Sequence, residues 1–212
     1  MDSELLFRIV LAMKSLAYIV PRFYYRRQAV RANPSGETEL RNVSESKLRL
    51  ALMAVSGLGA NLLTLLWIVN PAWLHWSRLP LPDWLRWVGV VMGAIAVWLG
   101  YLAHRTLGTN YTATLKRMEG KQFVIQGIYR WVRHPMYTSF FAVLAADFLL
   151  TANWLIGLLG VVYSLVIVER VGHEERMLLE SFGEEYRQYM RRVGRFFPRL
   201  ARRKSDSDRS TL

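Results

Sequence analysis

Apolar and charged residues are segregated along this chain into blocks. Residues 50–69 run for twenty positions without a charge. At about 1.5 Å per residue such a run crosses a bilayer core of about 30 Å as one helix. Residues 84–104 form a second block, charged only at Arg86 near its start. Within it, Gly89 and Gly93 have the small-xxx-small spacing that lets helices approach closely. The longest block, 136–168, holds 33 residues and a single charge, Asp147. As one helix it would reach about 50 Å, too long for a bilayer core. Thr151-Ala152-Asn153 near its middle predicts a turn. The block therefore reads as a helical hairpin of two short arms, each about 23 Å long. Arms that short draw both outer ends, Pro135 and Glu169, to the interface on one side.

Residues 5–20 are apolar but include Arg8 and Lys14. This segment either crosses the membrane with snorkelling side chains or lies on its surface. Beyond Glu169, Leu178, Phe182, Tyr186, Tyr189 and Val193 follow one another at spacings of 4, 4, 3 and 4. That is one apolar stripe on an otherwise charged helix, with Gly183 as a point of interruption. The expected fold is an all-α, polytopic membrane protein of about five transmembrane helices, including a C-terminal hairpin and then a cytoplasmic amphipathic helix. The expected division is 1–106 for N-terminal transmembrane helices and a basic loop, 107–198 for the helical hairpin and C-terminal helix, and 199–212 for a disordered basic tail.

Charge sharpens this picture. A net charge of +12 would suggest a nucleic-acid partner on a soluble fold. Here the basic residues alternate in blocks with apolar runs, so no nucleic-acid partner is expected and the partner expected is the membrane. With five spans, the segments 22–49, 104–133 and 169–212 share one side and hold 24 of the 28 Lys and Arg residues. The positive-inside rule then places the N-terminus outside and the C-terminus in the cytoplasm. That means the cytoplasmic membrane in a prokaryote and the endoplasmic reticulum in a eukaryote. Asp2 and Glu4 precede the first apolar stretch and no small-residue cleavage site follows, so no cleavable signal peptide is expected. The absence of cysteine excludes thiol catalysis, disulfides, Cys-ligated zinc and lipidation on Cys. No His/Asp/Glu set has trustworthy metal-ligand spacing, so no metal is expected.

The candidate chemistry lies at the two outer ends of the hairpin. In "RWVRHPMYTS", residues 130–139, Pro135 is suited to the first turn of a helix and forces His134 away from helical geometry. The backbone N–H groups of Met136 and Tyr137 then point back toward Arg133 and His134, a ready site for a carboxylate or phosphate. The same arginines also satisfy the positive-inside rule without any ligand. At the other end, Glu174 and Glu175 follow Val168 within about two helical turns. They can hold a cation or accept hydrogen bonds from a purine amine or a ribose. They can equally form local ion pairs, such as Glu174 with Arg170. Together the two ends suit a zwitterion.

The segments "LGTNYTATLKRMEGKQFVIQGIYRWVRHPMYTS" and "EERMLLESFGEEYRQYMRRVGRFFP" resemble the isoprenylcysteine carboxyl methyltransferase family of integral-membrane enzymes, with phospholipid N-methyltransferases as more distant relatives. The resemblance covers about 107–198 and rests on G-x-Y-x-x-x-R-H-P-x-Y combined with E-E-x-x-L-x-x-x-F-G-x-E-Y. It implies methyl transfer from S-adenosylmethionine without a Rossmann domain, in a cytoplasm-facing pocket that lipid enters sideways. By motif it implies that Tyr129, Val132, Arg133, His134, Pro135 and Tyr137 line the cofactor site, with Glu174 and Glu175 on the other wall. Asn110, Arg133 and Arg170 are the candidates to orient an acceptor carboxylate. Ser139 stands where the family's pattern has glycine, and Asp147 is a charge where its hairpin is mostly apolar.

Two other functions stay open on the sequence. Membrane sterol reductases carry R-H-P-N-Y-x-G-E before a helix, and this chain has Met136, Ser139 and Phe140 at the Asn, Gly and Glu positions. A non-catalytic lipid-binding protein would use the basic loops only for orientation and contact with anionic lipid.

Overall fold

The computed structural model describes residues 3–32, 47–108 and 124–199. Five helices dominate them: α1 (Ser3–Ala32), α2 (Lys47–Val69), α3 (Asp83–Leu107), α4 (Pro135–Thr151) and α5 (Trp154–Arg192). Two short 3₁₀ segments, Pro71–Ser77 and Gly127–Arg130, complete the order. Helices α2, α3 and α5 are long and apolar enough to cross a membrane, and α4 is a shorter apolar helix of 17 residues. Leu58, Leu62 and Leu65 on α2 and Val91, Ile95 and Trp98 on α3 are exposed. Such outward apolar surface is stable only against lipid or a partner, and the chain is an integral membrane protein.

The expected turn forms at 151–153. Ala152 closes α4 in the left-handed conformation (φ 49°, ψ 42°). Asn153 caps α5 by accepting from the N–H groups of Leu155 (3.1 Å) and Ile156 (3.2 Å). Its amide donates to Ser77 Oγ at 2.7 Å, and Leu79 N–H donates to the Ala152 carbonyl at 2.6 Å. The closed end of the hairpin is thereby stitched to the α2–α3 connection. Phe7, Leu11, Trp67, Leu74, Leu150 and Ile156 form the main apolar core beside it.

One boundary differs from the expectation. The second arm and the amphipathic segment are a single helix of 39 residues, broken only at Gly183 (φ 54°). No Gly-Pro or Asn-Gly signal separates them, and Glu, Arg, Leu and Met between Glu169 and Phe182 favour a continuing helix. Of the apolar stripe, Tyr186 and Val193 are buried, and Leu178, Phe182 and Tyr189 are half-buried.

Small residues set the closest packing. Gly89, Gly93, Ala96, Gly100 and Ala103 are buried along one side of α3. A Cβ at Gly89 would stand 2.9 Å from Leu149 Cβ, and one at Gly100 would stand 2.9 Å from Tyr18 Cε2. Helix α3 therefore lies directly against α4 and α1.

Arg8 and Lys14, the charges inside the apolar stretch 5–20 of α1, both find partners. Arg8 donates to the carbonyls of Ile68 (2.8 Å) and Val69 (2.5 Å) at the C-terminus of α2, which need donors there. Arg86 on α3, almost fully buried, pairs with Glu4 (3.0 Å), donates to the Leu150 carbonyl (3.0 Å) and lies 4.0 Å from the centre of the Phe7 ring. Lys14 pairs with Asp147 inside the helix bundle, both side chains buried. Asp147 is thus the anchor of α1 on the hairpin.

Breaking a buried pair strands a charge and costs about 3–5 kcal/mol, whereas replacing both partners with apolar groups is often neutral. Asp147→Ala is expected to lower the melting temperature in detergent sharply. Lys14→Met combined with Asp147→Leu should recover most of the loss. If the double variant melts no higher than Asp147→Ala, the pair does not carry this load.

Candidate functional site at the open end of the hairpin

Pro135 opens α4 as expected, and His134 before it is non-helical (φ −126°, ψ 59°). The chain leading into the helix is held from an unexpected direction. Residues 132–134 run parallel to 193–195: Arg133 N–H donates to the Gly194 carbonyl (2.9 Å) and His134 N–H to the Arg195 carbonyl (3.0 Å). Thr138 Oγ1 donates to the Phe196 carbonyl at 2.8 Å, and the Phe196 ring sits beside Phe141. The segment after α5 therefore folds back and closes one side of the hairpin mouth.

Glu175 is the centre of this closure and is only 2% exposed. Arg133 donates to its Oε1 from Nε at 2.9 Å, with Nη2 at 2.8 Å from the same oxygen. His134 Nε2 stands 3.2 Å from that oxygen, and Arg195 reaches Oε2. A carboxylate only accepts, so Nε2 of His134 carries the proton in this contact. Burial alone would push the Glu175 carboxyl up. The donors His134, Arg195 and Arg133 outweigh it and hold the group down at about 2. Tyr189, pushed by burial up to about 12, donates to the Tyr129 carbonyl at 2.6 Å.

Arg133 is consequently not an open anion site in this conformation. Its Nη1 donates to the carbonyls of Met190 (3.1 Å) and Val193 (2.5 Å), so every nitrogen of the guanidinium has a partner within the chain. The sequence pattern pairs Glu174 with Glu175 on one wall, but a helix turns 100° per residue and separates them. Glu175 faces the clasp, whereas Glu174 faces a cavity and accepts from Tyr137 Oη at 3.0 Å.

That cavity has a volume of about 220 Å³ and lies between the mouth and α5. Of the residues expected from sequence, Tyr129, Arg133, His134 and Tyr137 line it on one side, and Arg170 and Glu174 on the other. Val132 and Pro135 are buried beside it without lining it, and Glu175 stands behind Arg133. Asn110 lies outside the described residues. The sequence reading missed Arg22 of α1, Met53 of α2, and Phe140, Tyr163 and Ile167 of the hairpin. The aromatic residues were visible only as apolar members of a span, and nothing in sequence distinguishes Arg22 from the other basic residues at the end of α1. Ser139, at the expected glycine position, is fully buried and its Oγ lies 3.0 Å from Tyr18 Oη. Among the described residues no group of three or more His, Asp or Glu gathers as metal ligands.

The Glu175 clasp has a defined pH dependence. Its folded pKa of about 2 lies below the ordinary 4.5, so its contribution is present above about pH 4.5 and is lost as pH falls toward 2. A shift of this size corresponds to on the order of 3 kcal/mol. Glu175→Gln should therefore melt well below the wild type at pH 6, with the gap narrowing as pH approaches 2. A gap independent of pH would show that the charge of Glu175 is not what holds the mouth.

Residues 87–180 match the sequence profile of the isoprenylcysteine carboxyl methyltransferase (ICMT) family. The chain is 30% identical over 126 residues to protein-S-isoprenylcysteine O-methyltransferase of Rattus norvegicus, an alignment covering 57% of this chain and 43% of the rat protein. It is 39% identical over 71 residues to methanethiol S-methyltransferase 1 of Bradyrhizobium diazoefficiens, covering 34% of this chain and 24% of that one. The chain thus spans less than half the length of these curated relatives. Its fold is similar to that of a solved eukaryotic intramembrane Ras methyltransferase, with a TM-score of 0.54 at 22% identity over 89% of this chain and 67% of the other. Residues 87–180, which carry the hairpin and most of its clasp, are thus similar to the isoprenylcysteine carboxyl methyltransferase family, and the fold of the chain is similar to that of its solved relative.

Proposed function

We propose that this protein is an S-adenosylmethionine-dependent integral-membrane methyltransferase whose acceptor is a lipid or prenylated molecule bearing a carboxylate. The observation that carries the reading is the shared cavity between Glu174 on α5 and the Tyr129–Tyr137 mouth, at the open end of a hairpin too short to hold its ends apart. The named activities of the relatives, methylation of isoprenylcysteine and of methanethiol, support the reaction class.

The residues fit the cofactor in part. Glu174 supplies a carboxylate for the ammonium of the methionyl end or for a ribose hydroxyl, and Tyr129 and Tyr137 supply aromatic faces beside it. A volume of about 220 Å³ is below the roughly 300–1,000 Å³ typical of pockets for drug-sized ligands, so these residues enclose part of such a molecule. When bound, the cofactor supplies an activated methyl: a carboxylate oxygen forms the new C–O bond as the C–S bond breaks with its electron pair on sulfur, and no proton moves. The protein's task is then positioning and electrostatics, which agrees with a cavity whose His134 and Glu174 are already engaged with Glu175 and Tyr137. Arg170 orients the acceptor in this reading, and Asn110 is assigned the same role. Arg133 acts indirectly, by holding Glu175 and the mouth. The basic loops face the cytoplasm, with the N-terminus on the opposite side, and residues 107–198 form the catalytic core.

The test is calorimetric titration of the purified chain with S-adenosylhomocysteine in nanodiscs, with NADPH as the competing ligand. Binding of the first and not the second is expected, and the reverse result would favour a reductase. Glu174→Gln should weaken S-adenosylhomocysteine at least about tenfold, or about 1.4 kcal/mol, whereas Tyr137→Phe should weaken it less. Unchanged affinity in Glu174→Gln would remove that residue from the cofactor site.

A further inference from the structure

The cavity has two ends of different character. At the mouth, Glu174 accepts from Tyr137, and Arg133 is saturated by Glu175 and two carbonyls. At the other end the wall is Arg22, Phe140 and Tyr163. The Arg22 guanidinium lies 4.6 Å from the centre of the Phe140 ring, and Phe140 and Tyr163 meet edge to face at 6.5 Å. Phe140 is five residues into α4 from Pro135, or about 7.5 Å along the axis. Tyr163 precedes Glu174 by eleven residues, or about 16 Å along α5. Both depths lie on the apolar side of the mouth.

Arg22 Nη1 is buried and has no hydrogen-bond partner. A buried guanidinium nitrogen without an acceptor is costly, and one that lines a cavity is open to an acceptor supplied from within that cavity. No carboxylate of the described residues pairs with Arg22, and the one acidic residue lining the cavity, Glu174, is at the far end with its own donor. The lipid-side end therefore carries an uncompensated positive charge beside two aromatic rings. That combination suits an oxyanion attached to an apolar chain, the guanidinium taking the oxyanion and the rings taking the chain.

We propose that Arg22 holds the carboxylate of the lipid-borne methyl acceptor, so that α1, which lies outside the family-matched residues 87–180, completes the acceptor subsite. This rests on the methyltransferase reading of the cavity. The position separates the two possible carboxylates. The polar, water-soluble cofactor enters at the mouth beside Glu174, whereas the acceptor arrives from the bilayer and meets Arg22 first.

The test uses the full chain in phosphatidylcholine nanodiscs, titrated with N-acetyl-S-farnesylcysteine, its carboxamide, and S-adenosylhomocysteine. Wild-type protein should bind the carboxylate at least about tenfold more tightly than the carboxamide. Arg22→Gln should erase that preference, Arg22→Lys should restore part of it, and S-adenosylhomocysteine affinity should stay within about twofold in all three. In turnover, Arg22→Gln should raise the KM for the acceptor far more than it lowers kcat. Equal affinity of the wild type for carboxylate and carboxamide overturns the proposal and needs no variant to fold. So does an Arg22→Gln protein that keeps its acceptor preference and loses S-adenosylhomocysteine, because Arg22 would then serve the cofactor. Failure of the wild type to bind S-adenosylhomocysteine would instead refute the methyltransferase reading. The carboxylate preference and its loss in Arg22→Gln would still report the oxyanion site.

Discussion

One buried carboxylate organises the working end of this protein. Glu175 gathers Arg133 and His134 from the entry to α4 and Arg195 from the segment after α5. An ionised carboxylate in such a place is tolerated only when its oxygens are saturated with donors, and the donors in turn cannot leave without stranding it. The three segments are thus mutually fixed. The mouth of the hairpin, which would otherwise be two loose helix ends at a membrane surface, becomes a rigid wall for the neighbouring cavity. Preorganisation of this kind is what the proposed methyl transfer would need from the protein, since the reacting carbon is already activated and geometry is the main contribution left to make.

The opposite end is held by different means. There the hairpin turn is stitched to the α2–α3 connection through Asn153, and an apolar core surrounds it. Between the two ends, small residues on α3 bring backbones close, and ion pairs fasten α1 to its neighbours. Lys14 with Asp147 and Arg86 with Glu4 are charges that hydrocarbon would reject singly and accepts as neutralised pairs. The consequence is functional as well as structural. With α1 pinned to α3 and α4 along its length, its later turns are carried to the cavity, and Arg22 arrives beside Phe140.

The likeness to the family is concentrated in 87–180, and the named relatives act on acceptors as different as a prenylated cysteine and methanethiol. A common hairpin and mouth with a separately supplied acceptor end would account for that range. In the proposed reading the acceptor side is built partly from α1 and α2, which lie outside the matched residues 87–180. On this view Arg22 and Met53 belong to the part of the site that sets specificity.

Much of this was legible without coordinates. The 33-residue block with one charge had to fold on itself, because a single helix of that length does not fit a bilayer, and Thr151-Ala152-Asn153 marked the place. Pro135 determined where α4 begins, because its ring fits the first helical turn and disfavours helix at His134. The spacing of Gly89 and Gly93 announced a close helix contact. What residue identity left undecided was direction and partnership. Adjacent Glu174 and Glu175 look equivalent in a string of letters, but 100° of helix rotation sends one into a cavity and the other into a clasp. Arg133 reads as an anion-binding residue until the returning segment 193–195 and Glu175 saturate it. Lys14 and Asp147 are 133 positions apart, and no local pattern joins them. Hydropathy and turn chemistry act over a few residues and so are written locally; the pairing of charges across a bundle depends on which helices pack together, and only the tertiary structure decides that.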